Sequence, residues 1–426
     1  METKYSLKDD FNKGMELLTY HLSQTRYDSQ MREVIEAYKT EMLQWFEHDG
    51  IVQENGIRHA TQGLWYSLYL EKKRLENRRC KMQYKFGEYV RSHPYDTQQD
   101  TFVYKKDGKY TMCQAGHFTN IEKQYLRDGV VLGKEKQNRK LAYYILRSQT
   151  ENGQYICPGC GAEQDLDKLL DGCDYCRSKF DVSAYEDKVV SVVNGQGTFD
   201  DREMDGFQNY SYVVGASLIL IGLMLAMFTC GLSLLLAVYG ITEINKGRNS
   251  KTVKRSADSK QISLNTKNRI KAHDPGFSEE EFVGALDCKL KSIHYASNAQ
   301  ELAAFVKCDV APYVKAYQDI ISCEIGKIAY KNFWTDESYQ YIELRRQIDI
   351  KRDCGNQVVQ GEGIVAVTLA KKLSAKRKNE VTMYRCNGCG ATISLVEGGK
   401  CKYCGNEMDF AAYDWVVVGY QHVDEL

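Results

Sequence analysis

The chain has 426 residues, room for two or three domains, and its 57 Lys and Arg balance its 57 Asp and Glu, which excludes a generic polyanion binder. Only 4 prolines and an ordinary 33 glycines argue against wholesale disorder, and 30 tyrosines favour a good deal of sheet.

The opening METKYSLKDDFNKGMELL is polar and has no basic segment leading into an apolar one, so no cleaved secretory signal is expected. Met31, Val34, Ile35, Tyr38, Met42, Trp45 and Phe46 form one helical stripe, the core face of a first helix, and a second helix is expected over 61–79. TFVYKKDGKYTMC (101–113) reads as a hairpin with Asp107 and Gly108 in the turn. LAYYILRS (141–148) reads as a further strand.

Next comes YICPGCGAEQDLDKLLDGCDYC. Cys157 and Cys160 are followed by Cys173 and Cys176, and far downstream Cys386 and Cys389 are followed by Cys401 and Cys404. Two CxxC pairs across a short spacer are the ligand set of a tetrahedral zinc ribbon, so two structural Zn2+ ions are expected. All four positions of each set are cysteine, which leaves no open position for a catalytic water. Glycine follows the second cysteine in three of the four knuckles (Gly161, Gly390, Gly405), and Arg177 stands in the fourth. The other seven of the 15 cysteines (Cys80, Cys113, Cys230, Cys288, Cys308, Cys323, Cys354) are scattered singly, as free thiols of a reducing compartment would be. The first ribbon is acidic (Glu163, Asp165, Asp167, Asp171, Asp174). The second mixes Lys400 and Lys402 with Glu397, Glu407 and Asp409, so neither has the basic face a nucleic acid needs.

DVSAYEDKVVSVV follows the first ribbon and DFAAYDWVVVGYQ the second, an internal repeat of ribbon plus strand. Each unit also follows a strand-like stretch, LAYYILRS or EVTMYRC, as a ribbon inserted between neighbouring strands would.

Residues 212–241 carry no charge, and about 20 apolar residues suffice for a transmembrane helix. One tilted span is the reading; a re-entrant hairpin with arms of about 14 residues is the alternative. The preceding flank is acidic (Asp200, Asp201, Glu203, Asp205). The following one is basic, led by Lys246, Arg248, Lys251, Lys254 and Arg255, and is expected to lie against anionic lipid head groups. The positive-inside rule places the C-terminal domain in the cytoplasm of a single-pass protein of the bilayer. For the N-terminal half the flank charges say outside, whereas its thiolate ligands and the missing leader say inside. The closing HVDEL is read as a chance likeness to a retrieval signal.

In DPGFSEEEF, Ser278 and Glu281 make a capping box, and Phe277 with Phe282 a hydrophobic staple. Phe282, Leu286, Leu290 and Ile293 continue the stripe, and AQELAAFVKCDVAPYVKAY reads as a second helix. In YIELRRQIDIK the period becomes two, Ile342, Leu344, Ile348 and Ile350 alternating with polar residues, as in a sheet with one wet face. EGIVAVTLA and DWVVVGY add strands, and helices followed by antiparallel strands make an α+β domain with a pocket at the mouth of the sheet.

From DPGFSEEEF through the alternating strands to YDWVVVGY, residues 274–421 resemble the Tim-forty-four-like domain family, whose namesake is a peripheral subunit of the mitochondrial inner-membrane import motor. Bacterial relatives of this kind carry a zinc ribbon before a final DW strand, as Cys386 to Cys404 do here. The resemblance implies a nuclear-transport-factor-two-like cone, a hydrophobic pocket, membrane attachment in a bacterial cell membrane and contact with a protein partner, without catalysis. The N-terminal half, with the same order of helices, strands, ribbon and strand, is expected to be a diverged copy.

The resulting division is an N-terminal α+β domain (1–150), a first ribbon with closing strand (151–195), an acidic linker (196–211), the membrane segment (212–241), a basic linker (242–273), the Tim-forty-four-like domain (274–421, ribbon 384–406) and a tail (422–426). The function expected is a non-enzymatic membrane-anchored scaffold binding proteins or lipids. A tethered nucleic-acid-linked regulator and a small-molecule enzyme of the cone fold are the alternatives, the latter with His294, Asp287 and Asp349 as its only candidate groups.

Overall fold

In the computed structural model the described residues are 28–88, 101–194, 216–224, 233, 236, 238–241, 251–373 and 384–426, less 49, 51–55, 108–109, 151, 158–159, 161, 178, 180–181, 275–276, 278, 387, 390–391, 394–399, 402 and 425. Helix α1 (Ser29–Glu47) starts where Asp28 accepts a hydrogen bond from the Met31 amide at 3.0 Å, and its stripe from Met31 to Phe46 is buried. Helix α2 (Gln62–Asn77) follows, then β1 (Lys81–Gly87), β2 (Thr101–Asp107), β3 (Tyr110–Arg127) and β4 (Val130–Arg147). The first ribbon holds β5 (Tyr155–Ile156), β6 (Glu163–Gln164) and α3 (Leu166–Asp171), and β7 (Lys188–Asn194) closes the half. The sheet runs β1-β3-β4-β7 with β2 also on β3, all antiparallel.

The second half comprises α4 (Lys251–His273), α5 (Glu279–Tyr295), α6 (Ala311–Ala316), β8 (Ile320–Thr335), β9 (Tyr339–Asp353) and β10 (Val358–Lys372). Its ribbon contains β11 (Tyr384–Arg385) and β12 (Thr392–Ile393), and β13 (Val416–Val423) closes an antiparallel sheet of order β13-β10-β9-β8. The architecture is thus α+β with antiparallel sheets. The staple forms, the Phe277 and Phe282 rings lying 5.2 Å apart, while Ser278 is outside the described residues.

One small device occurs in both halves. Val189 of β7 bridges in parallel to Ala60, with Thr61 N to Val189 O at 2.9 Å and Val189 N to His59 O at 2.7 Å. Val417 of β13 bridges likewise to Val306, with Lys307 N to Val417 O at 2.7 Å and Val417 N to Phe305 O at 2.8 Å. Just beyond each of these valines the register shifts, at Tyr144/Ile145 against β7 and at Thr368/Leu369 against β13.

The structure departs from the sequence reading at several points. The helix expected from 299 to 317 is broken into a 3-10 turn (Ala299–Leu302) and α6, because the Phe305–Lys307 backbone is spent on β13 and Pro312 starts a new helix. The basic linker is instead largely the helix α4, anchored by Ile270 (0 % exposed), by the Ser263 hydroxyl accepting from Tyr330 N at 3.0 Å and by Lys267–Glu279 at 2.6 Å. The wet row of β9 is half-buried, since Lys351 pairs with Glu135 of β4 at the seam between the halves. The inner phase of the same strand also holds Arg346, which is buried and paired with Asp287 of α5.

Among the described residues no helix is long and apolar enough to cross a membrane. Of 212–241, residues 216–224 are helical, and the Ser233 hydroxyl donates to the Gly222 carbonyl at 2.9 Å. Eleven residues of continuous helix would separate these two by about 16 Å, so Gly222 and Ser233 do not share one uninterrupted span. Lys246 and Arg248 lie outside the described residues, and Lys251, Lys254 and Arg255 fall in the first turns of α4.

The halves share a core. Apolar residues of α1 and α2 and of α5, β8, β9 and β13 belong to one buried cluster. Gly284 of α5 comes so near Ser191 of β7 that a Cβ there would lie 2.8 Å from the Ser191 Cβ. Charged groups follow the same seam: Lys123 to Glu324 at 2.8 Å, and Arg78 (2.8 Å) and Arg127 converging on the fully buried Asp353 carboxylate.

Candidate functional site

The eight ribbon cysteines form two groups in which the four Sγ atoms all lie within 4.8 Å of one another. Cys157 pairs with Cys176 and Cys160 with Cys173, both at 3.6 Å; Cys386 pairs with Cys404 at 3.3 Å and Cys389 with Cys401 at 3.5 Å. A disulfide would bring sulfurs to about 2.05 Å, whereas four thiolates about 2.3 Å from a tetrahedral ion stand about 3.8 Å apart. The donor set therefore fits a closed, four-thiolate metal centre, and each group can hold one ion.

The knuckles are shaped by backbone. Cys157 N donates to Ala162 O at 2.8 Å across one turn, and Gly388 N points at the Cys386 sulfur at 3.3 Å. Arg177 adopts φ +55°, matching Gly405 at +73°, and their amides close the same turn onto Cys173 O (2.6 Å) and Cys401 O (2.8 Å). The arginine thus takes the left-handed conformation that glycine supplies elsewhere, at a cost of about 1–2 kcal/mol.

The ribbons differ in their footing. Cys157 and Cys173 pack with Leu169 and Tyr185 in a small cluster of their own. Cys386 and Cys401 instead join Met408, Phe410 and Trp415 in the shared core. Tyr175 and Tyr403 occupy the same place in the second knuckle of each ribbon, and both are largely exposed (75 % and 69 %).

The candidate enzymatic groups do not assemble. His294 is buried, stacked on Tyr317 at 4.5 Å, with Nδ1 at 2.8 Å from the Leu290 carbonyl. Asp287 is engaged by Arg346, while Asp349 sits on β9 opposite Glu324 and Glu362. Burial presses the His294 imidazole down to about 4 and lowers His422 as well. The His294 imidazole is therefore folded neutral, and the stability this gives is present above its unfolded value of about 6.5 and lost as pH falls toward about 4. For His294 the loss amounts to about 3 kcal/mol. His294→Phe should accordingly shrink the difference between urea midpoints at pH 7 and pH 4.5; an unchanged difference would show that His294 does not drive it.

Sequence reasoning missed a cavity of about 130 Å³ at the seam, walled by both halves. Residues of the first sheet and of helices α1 and α2 form its floor and sides, and Asp287 and Lys291 of α5 with Ser322 and Glu324 of β8 form its roof. A smaller apolar cavity of about 50 Å³ lies along the same seam, between Tyr66, Cys288, Phe305 and Trp415. Both cavities lie between the halves, and neither is the pocket expected at the mouth of the second sheet alone.

No protein-family model, curated protein or solved structure matches this chain. The fold and site define a class: an α+β chain with two four-cysteine ribbons, each able to hold a metal ion and each inserted before a closing strand.

Proposed function

We propose that this chain is a non-enzymatic scaffold attached to a membrane, with two zinc ions clipping two diverged copies of one domain of the Tim-forty-four-like kind. The observation that carries the reading is the shared core. Halves in contact cannot lie on opposite sides of a hydrocarbon layer about 30 Å thick, so the apolar stretch between them enters and leaves on one face, as a hairpin. The Ser233 to Gly222 hydrogen bond supports that return. The basic start of α4 then meets anionic head groups from the cytoplasmic side. The matched parallel bridges and register shifts support duplication. Tyr175 and Tyr403, apolar bodies with polar tips at both ribbon ends, offer a contact for a protein partner.

The test expresses the chain with a tag at each terminus in bacterial cells. Both tags should pellet with membranes, resist alkaline carbonate and survive a membrane-impermeant protease in intact cells, and deleting 212–241 should release the chain. Cleavage of the N-terminal tag alone would overturn the one-sided arrangement. Carbonate-soluble full-length chain would overturn membrane insertion.

A further inference from the structure

We infer that the larger seam cavity is a binding site for a small zwitterion, an α-amino acid with an apolar side chain. Two of its charged groups are already engaged: Lys123 holds Glu324 at 2.8 Å, and Asp287 is held by Arg346. Glu71 of α2 and Lys291 of α5 remain, one from each half. The Lys291 ammonium makes no hydrogen bond or ion pair within 4 Å with any described residue, and Glu71 feels the charges of Lys291 and Lys123 and interacts with the Tyr295 hydroxyl.

A half-buried ammonium and carboxylate that line one cavity without direct contact carry a desolvation cost that their mutual attraction meets only in part. Burial pushes the Lys291 ammonium down, but Glu71 together with Cys288, Cys323 and Asp287 outweighs it and the net shift is upward; burial raises the Glu71 carboxyl, with Lys291 and Lys123 opposing that rise. A ligand presenting a carboxylate to Lys291 and an ammonium to Glu71 satisfies both at once. An α-amino acid carries those two groups on one carbon, so a single small molecule can meet both residues. The remaining wall is apolar and aromatic, with Tyr38, Phe86, Ile121, Leu141 and Tyr143 suited to an apolar side chain. The volume suits one small metabolite or several waters. Because roof and floor belong to different halves, binding there would also tie the halves together. This site is independent of membrane attachment.

Calorimetry on the full metal-loaded chain decides the matter. The probes are leucine and phenylalanine, their deaminated acids 4-methylpentanoate and 3-phenylpropanoate, and the amines 3-methylbutylamine and phenethylamine. An amino acid should bind, with its acid and its amine each weaker by roughly tenfold or more. Lys291→Met should weaken it by at least about tenfold, and Lys291→Arg should restore part. No binding by either amino acid at about 10 mM would overturn the proposal. So would acids or amines binding as well as amino acids, or a folded Lys291→Met chain binding like the parent. The comparison of zwitterion, acid and amine uses the unaltered chain, so it stands even if Lys291→Met fails to fold.

Discussion

Cys401→Ser is expected to destabilise the whole molecule by more than about 4 kcal/mol, whereas Cys173→Ser should leave the main unfolding transition within about 1 kcal/mol of the parent. Both substitutions remove one thiolate from a four-thiolate centre, and both should halve the metal bound per chain, from two ions to one. The difference lies in what each ion holds. Cys401 and Cys386 are 3 % and 4 % exposed and pack with Met408, Phe410 and Trp415 in the core that both halves share. Losing that ion loosens the segment leading into β13, the strand that Phe305 and Lys307 grip through Val417. The first ribbon stands apart, its Cys173 packing with Leu169 and Tyr185. Its base is pinned separately by Ser148 N donating to Asp187 at 2.9 Å. Unfolding it converts an inserted ribbon into a flexible loop between β4 and β7, and closure entropy changes slowly with loop length. Atomic absorption with urea melts checks both halves of the expectation. Equal losses of stability would mean that the first ribbon is also part of the shared core.

That asymmetry was not legible in the sequence, although the ribbons were. CxxC spacing is a local signal, written within about 20 residues, and it located all eight sulfurs. The Phe277–Phe282 staple and the alternation of Ile342, Leu344 and Ile348 were readable for the same reason. The seam was not, because its partners are far apart in the chain: Lys123 meets Glu324 across 201 residues. Two traces of it were nonetheless present. Arg346 occupies the inward phase of β9, and Arg74 continues the spacing of Tyr66 and Leu70 on α2, four residues apart each time. A charge in phase with a core stripe marks a buried partner rather than a solvated face. The broken helix near Val306 left a weaker trace in Pro312, which can begin a helix but cannot sit inside one. For 212–241 composition gave the apolar character correctly, but apolarity does not specify whether a chain crosses or returns.

Replacing Arg74 by methionine should cost about 3 kcal/mol or more and split one cooperative transition into two. Arg74 is 1 % exposed, yet burial lowers its guanidinium only to about 10, so it remains charged at neutral pH. From α2 it reaches across the seam to three carbonyls of the other half: Tyr317, Tyr295 at 3.1 Å and Ala296 at 2.7 Å. Tyr295 and Ala296 end helix α5, where unpaired carbonyls and the negative end of the helix dipole both favour a cation. One half thus supplies the C-terminal cap for a helix of the other. Methionine fills part of the volume but returns no donor. Tyr317 O keeps Ile320 N at 3.0 Å and Ala296 O keeps the Gln318 amide at 3.2 Å, which leaves Tyr295 O as the carbonyl stripped of its cap. Lysine restores the charge without the planar fork, so Arg74→Lys should fall between the two. Scanning calorimetry separates a local from a seam effect. A single transition moved down in temperature would make Arg74 an ordinary buried residue; two transitions, the first abolished by a disulfide engineered across the seam, would identify it as the clasp that makes the two halves one unit.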